Sequence, residues 1–134
     1  MWRAARCGWL LLLLALVGCT KPEDYLAVAR EQRQAYKEMA DVLASIDDEK
    51  SMAEAKTALA EKSEKFEVIA RKAQALPAPS ANVQERLQED AYAMRRAVER
   101  LQSEVARVRS LKGGPEFFKQ FESNHPSLFS AVQR

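Results

Sequence analysis

The chain has 134 residues, room for a single domain. Apolar residues make up 47% of it and charged residues 30%, with a formal net charge of +2. Arg3 and Arg6 account for that excess, so the rest is balanced and implies neither nucleic acid nor an anionic membrane surface as a partner.

Residues 1–18 have the three parts of a secretory signal: Arg3 and Arg6, then the apolar run 10–17, then small Gly18. A transmembrane helix needs about 20 apolar residues. This run is less than half that length, and Thr20-Lys21-Pro22-Glu23 closes it. Ordinary signal peptidase favours small side chains at both −1 and −3, yet Leu16 stands at −3 of a cut after Gly18.

Leu16-Val17-Gly18-Cys19 resembles instead the lipobox of bacterial lipoproteins, where a large aliphatic residue is expected at that place. The resemblance covers the leader and Cys19. It implies cleavage between Gly18 and Cys19, a thioether-linked diacylglycerol on Cys19 and acylation of the new amine, as by palmitate. Two or three acyl chains anchor stably, which one chain would not. The alternative is an ordinary secreted protein with a chance Gly-Cys. Cleavage removes Cys7 and lipidation alkylates Cys19, so no disulfide forms and packing alone holds the body. The resemblance also implies a cell-envelope location. Thr20, in place of aspartate after the cysteine, leans towards the periplasmic face of an outer membrane in a two-membrane bacterium.

The lipid-anchored body, 19–112, reads as three amphipathic helices at about 22–47, 52–76 and 83–112. Thr20-x-x-Glu23 is a possible capping box for the first, with Pro22 in its first turn. Tyr25, Ala29, Gln32, Tyr36, Met39, Leu43 and Ile46 then alternate in steps of four and three, and Val28, Ala35 and Val42 widen the stripe. Ser51-x-x-Glu54 opens the second helix, whose stripe is Met52, Ala55, Leu59, Lys62, Phe66, Ile69, Ala73 and Leu76. Lys62 is expected to snorkel to the edge. Pro77-Ala78-Pro79-Ser80 forbids helix and marks a stiff turn. Asn82-x-x-Glu85 caps the third helix, which carries Val83, Leu87, Ala91, Met94, Val98, Leu101, Val105, Val108 and Leu111. Gly113-Gly114-Pro115 stops it.

Short connections between long helices favour antiparallel neighbours. The expected fold is therefore all-α: an antiparallel up-down-up three-helix bundle, coiled-coil-like, with a short helical aromatic C-terminal tail at 113–134. That tail holds Phe117, Phe118, Phe121 and Phe129. They are read either as a cap on the distal end of a thin core or as an exposed anchor cluster for a partner, with membrane insertion a lesser alternative.

Chemistry is sparse. Glu122-Ser123-Asn124-His125 has the Glu-x-x-His spacing of carboxylate-bridged metal sites, but those need two copies in a bundle core and this chain has one histidine. His125 reads as a solvated turn residue. Asp47-Asp48-Glu49 lacks the alternating ligands and glycine of a calcium loop. No catalytic residues, no metal and no cofactor beyond the lipid on Cys19 are expected. The leading expectation is a non-enzymatic, membrane-anchored interaction or scaffold module for an unidentified envelope protein. The alternatives are a membrane-held periplasmic chaperone or inhibitor of exposed apolar segments, and a structural lipoprotein that self-associates as a homo-oligomer.

Overall fold

The structure, a computed structural model, describes residues 20–125; Gly18, Cys19 and Phe129 lie outside the described residues. The described span is all-helical, without strands, and holds α1 (Pro22–Ala44), α2 (Glu49–Ala75), α3 (Ala81–Arg109) and α4 (Gly114–Asn124). Helix α1 packs against both α2 and α3, whereas no Cα of α2 comes within 8 Å of one of α3. The short α4 lies against α2 and α3 together.

Helix α1 begins at Pro22 as expected, while α2 and α3 begin three and two residues before their expected starts; in all three a residue other than the expected one takes the cap. The Lys21 N–H donates to Asp24 Oδ2 at 2.9 Å, so the pair that opens α1 is one residue later than Thr20 and Glu23. Asp48 displaces Ser51 as the N-cap of α2. Its Oδ1 accepts from the Ser51 N–H at 2.8 Å, and Ser51 Oγ in return accepts from the Asp48 N–H at 2.9 Å. The cap's bonds to Ser51 hold the Asp48 carboxyl below its usual range. For α3 the N-cap is Ser80, not Asn82.

Being flanked on two sides, α1 buries a wider face than one stripe. Tyr36, Met39, Leu43 and Ile46 are buried as spaced, and Leu26, Ala35 and Ala40 join them. Across the interface Tyr36 meets Phe66, ring centroids 5.0 Å apart. Ser63 is fully buried in the α2 face and its Oγ donates back to Leu59 O at 2.8 Å, which satisfies the hydroxyl. Lys62 stands at the edge, its Nζ 3.2 Å from Glu38 Oε2. Hydrogen bonds from Gln34 and then from Lys62 and Lys65 hold the Glu38 carboxyl below its ordinary range. Ala91 is exposed, against expectation, and Leu87, Met94, Ala73 and Leu76 are only half-buried. Leu87, Ala91 and Met94 line a gap between α1 and α3, opposite small Ala29 and Arg33.

Polar pairs fix the register along α1. Glu23 faces Arg86, Arg33 faces Asp90 and Asp41 faces Arg100 on α3. Glu31 faces Lys72 and Glu38 faces Lys62 and Lys65 on α2. At the end of α1, Arg107 Nη1 donates to Ile46 O and Nη2 to Leu43 O, both at 2.7 Å, while Nε donates to Glu104 Oε2 at 2.8 Å. Leu43 sits in the last turn of α1 and Ile46 just beyond its end. The guanidinium thus adds a charged donor to the Leu43 carbonyl, which also accepts from the Ile46 N–H at 3.0 Å, and ties down the turn that follows the helix. Arg107→Ala is therefore expected to destabilise the fold by about 2 kcal/mol, since hydrogen bonds to a charged donor contribute about 1.5–3 kcal/mol. Chemical denaturation gives the magnitude. Arg107→Lys, which lacks the fork, is expected to recover only part of it.

Candidate functional site

The aromatic segment is built on α4, and two glycines set its position. Gly113 adopts φ +80°, the left-handed turn that lets the chain leave α3 and start again. Gly114 is buried, and a Cβ there would collide with the Val108 carbonyl. Pro115 suits the first turn of α4, where its missing N–H is no loss. The helix then runs beside the start of α2: Gly113 approaches Glu49, Lys56 Nζ bonds Gln120 Oε1 at 2.7 Å, and His125 reaches Glu67.

The phenylalanines divide by face. Phe118 and Phe121 are buried at 2% and 5% exposure, while Phe117 is half-buried. Phe117 meets Phe118 edge-on with centroids 5.2 Å apart and stacks on Phe121 at 6.4 Å. The Arg109 guanidinium lies over the Phe118 ring, 5.3 Å from its centroid, and also pairs with Glu122. So α4 seats two of its rings inward and shows part of the third.

Phe117 joins Met52 and Ala53 in the floor of an open groove of about 660 Å³ between α2 and α4, rimmed by Glu49, Lys56, Glu116 and Lys119. The floor is apolar and the rim carries both signs. Such a surface can take up an apolar side chain of another protein.

His125 is not a solvated turn residue. Its side chain is 12% exposed, its ring packs on Phe121 with centroids 4.7 Å apart, and Nδ1 lies 3.4 Å from Glu67 Oε1. The Nδ1 atom is buried without a geometrically sound hydrogen bond. Glu122 turns to Arg109, so the Glu-x-x-His pair does not converge. Among the described residues no group of three His, Cys, Asp or Glu side chains could hold a metal ion. No described helix is long and apolar enough to cross a membrane.

Sequence reasoning missed Arg107, Ser63 and the Glu67–His125 approach. The first and last join residues far apart in the chain, and no local pattern signals them. Ser63 had a signal, sitting one residue after Lys62 where the stripe needed a small side chain. Comparison with protein-family models, with curated proteins and with solved structures found no match.

Proposed function

We propose that this protein is a lipid-anchored helical lipoprotein of the bacterial cell envelope that works as a non-enzymatic interaction module. Cys19 carries the lipid in this reading, and the groove between α2 and α4 receives an apolar segment of another envelope protein. The observation that supports the second half is the division of the aromatic cluster: Phe118 and Phe121 secure α4, and Phe117 lies part-open beside Met52 in a concave surface. The first half rests on Leu16-Val17-Gly18-Cys19.

The topology that suits this role is an up-down-up rod. Partners on α3 follow the order of α1, from Arg86 opposite Glu23 to Arg107 opposite Leu43, and partners on α2 run in reverse, from Lys72 opposite Glu31 to Lys62 opposite Glu38. On that reading the groove lies at the end of the rod far from Cys19, facing away from the membrane.

Two measurements test the proposal. Mass spectrometry of the N-terminal peptide is expected to show diacylglyceryl-Cys19, and Cys19→Ala is expected to abolish acyl labelling and leave the precursor uncut. Persistent labelling in Cys19→Ala refutes the site. Crosslinking from native membranes is expected to recover one stoichiometric partner, lost with Phe117→Asp. Suppression of aggregation of many unrelated clients would instead indicate the chaperone reading.

A further inference from the structure

Resting on the lipid-anchor reading of Cys19, we propose that the α2–α3 turn is a membrane-contacting foot that sets the protein on the bilayer surface. The relevant partner is the interfacial layer of a phospholipid membrane. Thr20 and Lys21 are all that separate Cys19 from the first residue of α1, a reach of roughly 10 Å. The turn lies at that same end of the protein: Tyr25, in the first turn of α1, donates its hydroxyl to Pro77 O at 3.0 Å. Glu23 and Arg86, 3.7 Å apart, bring the start of α3 to the same level.

The turn is chemically unlike the rest of the described surface. Residues 74–84 contain no charged side chain, in a chain where 30% of residues are charged. Ala75, Pro77 and Ala78 are exposed, and Leu76 and Pro79 are half-exposed. Bringing backbone near lipid is costly when its polar groups lose water without gaining partners. Here part of that cost is already removed. Pro77 and Pro79 have no N–H, and the Leu76 N–H donates to Ala73 O at 3.3 Å. The Pro77 carbonyl accepts from Tyr25, and the Pro79 carbonyl accepts from Gln84 Nε2 at 3.0 Å. Tyr25, an aromatic ring with a bonded hydroxyl, is also the residue type that settles at membrane–water interfaces.

The charged rim above the foot mixes signs, with Lys21, Arg71, Lys72 and Arg86 against Glu23, Asp24 and Glu85. The contact therefore does not depend on anionic lipid. Contact by the foot and attachment by the acyl chains act at one end, so the rod stands instead of lying down.

The test uses the full lipidated protein in zwitterionic phosphatidylcholine vesicles, with Ala78→Cys or Gln120→Cys carrying an environment-sensitive fluorophore. Cys19 is blocked by its lipid, so each variant offers one thiol. The label at 78 is expected to shift to shorter wavelength on reconstitution and to be quenched several-fold more by nitroxide lipids than the label at 120. Equal, water-like signals at both positions with lipid on Cys19 would overturn the foot and leave the anchor standing. Stronger quenching at 120 would also overturn it, since the opposite end then meets the membrane. An unmodified Cys19, with no flotation on vesicles, would overturn the anchor and the foot together.

Discussion

Replacing Phe118 by alanine is expected to destabilise the protein by about 3–5 kcal/mol, the range for removing a fully buried aromatic side chain. Phe118 is 2% exposed and among the largest fully buried side chains of the core. Its ring carries the Arg109 guanidinium on one side and the edge of Phe117 on another. The loss combines transfer energy, a cavity and a stranded stacking partner. Small domains have a total stability of only about 5–15 kcal/mol, so the change is a large fraction of it. The expected signature is a lower denaturation midpoint in a single transition, because Phe118 belongs to the same core cluster as Met39, Met52 and Val108. A loss below about 1 kcal/mol would show that α4 is not part of the cooperative unit.

Gly114→Ala is expected to act on the same helix through the backbone, at about 3 kcal/mol, the upper part of the range for overpacking. The added methyl meets the Val108 carbonyl and the Arg109 main chain, which cannot swing aside as a side-chain tip would. Relief requires α4 to shift off its seat. Gly113→Ala is the informative comparison: space is adequate near Glu49, and the penalty there is the positive φ, about 1 kcal/mol. Hydrogen exchange separates the two effects. In Gly114→Ala the amides of α4 are expected to lose protection while those of α1 keep it. Similar losses in both variants would mean that the turn's dihedral, not the missing Cβ, seats the helix.

These two positions also show what could be read from the chain alone. Four-three spacing of Tyr36, Met39 and Leu43, and of Met52, Ala55 and Leu59, makes helix the only economical way to gather those side chains on one face. The Pro77–Pro79 turn and Gly113-Gly114 punctuate them without ambiguity. Helix starts were less legible because several cap-competent residues stand close together: Asp48 and Ser51 cap reciprocally, and local sequence does not rank them. The faces were legible for most of the stripe: Leu59, Phe66 and Ile69 on α2 and Val83, Leu101, Val105 and Val108 on α3 are buried as spaced. Ala91 and Leu87 keep the spacing of a buried stripe, yet they border a gap between α1 and α3 opposite small Ala29, and stay exposed and half-buried respectively. That gap is a tertiary fact with no local signature. For the aromatic segment, Phe117, Phe118 and Phe121 stood out as a cluster, but the inward ones were fixed by the seating of α4 between α2 and α3. His125 changed from a surface residue to a packed one for the same reason.

The central position of α1 has a mechanical consequence. A protein held at the α2–α4 groove and a lipid held at Cys19 would pull on opposite ends of the same assembly. Tension entering at the start of α1 would pass along its backbone into the turn 45–48 and so to the start of α2, where Met52 and Ala53 line the groove. The load would be carried by α1 itself, and the contacts along its length, the Glu31–Lys72 and Glu38–Lys62 pairs, the Tyr36–Phe66 contact and the Arg107 fork, hold it helical against extension. Resistance to such a pull is governed by the barrier to unfolding. On the proposed reading, α1 would be the strut between the two attachments.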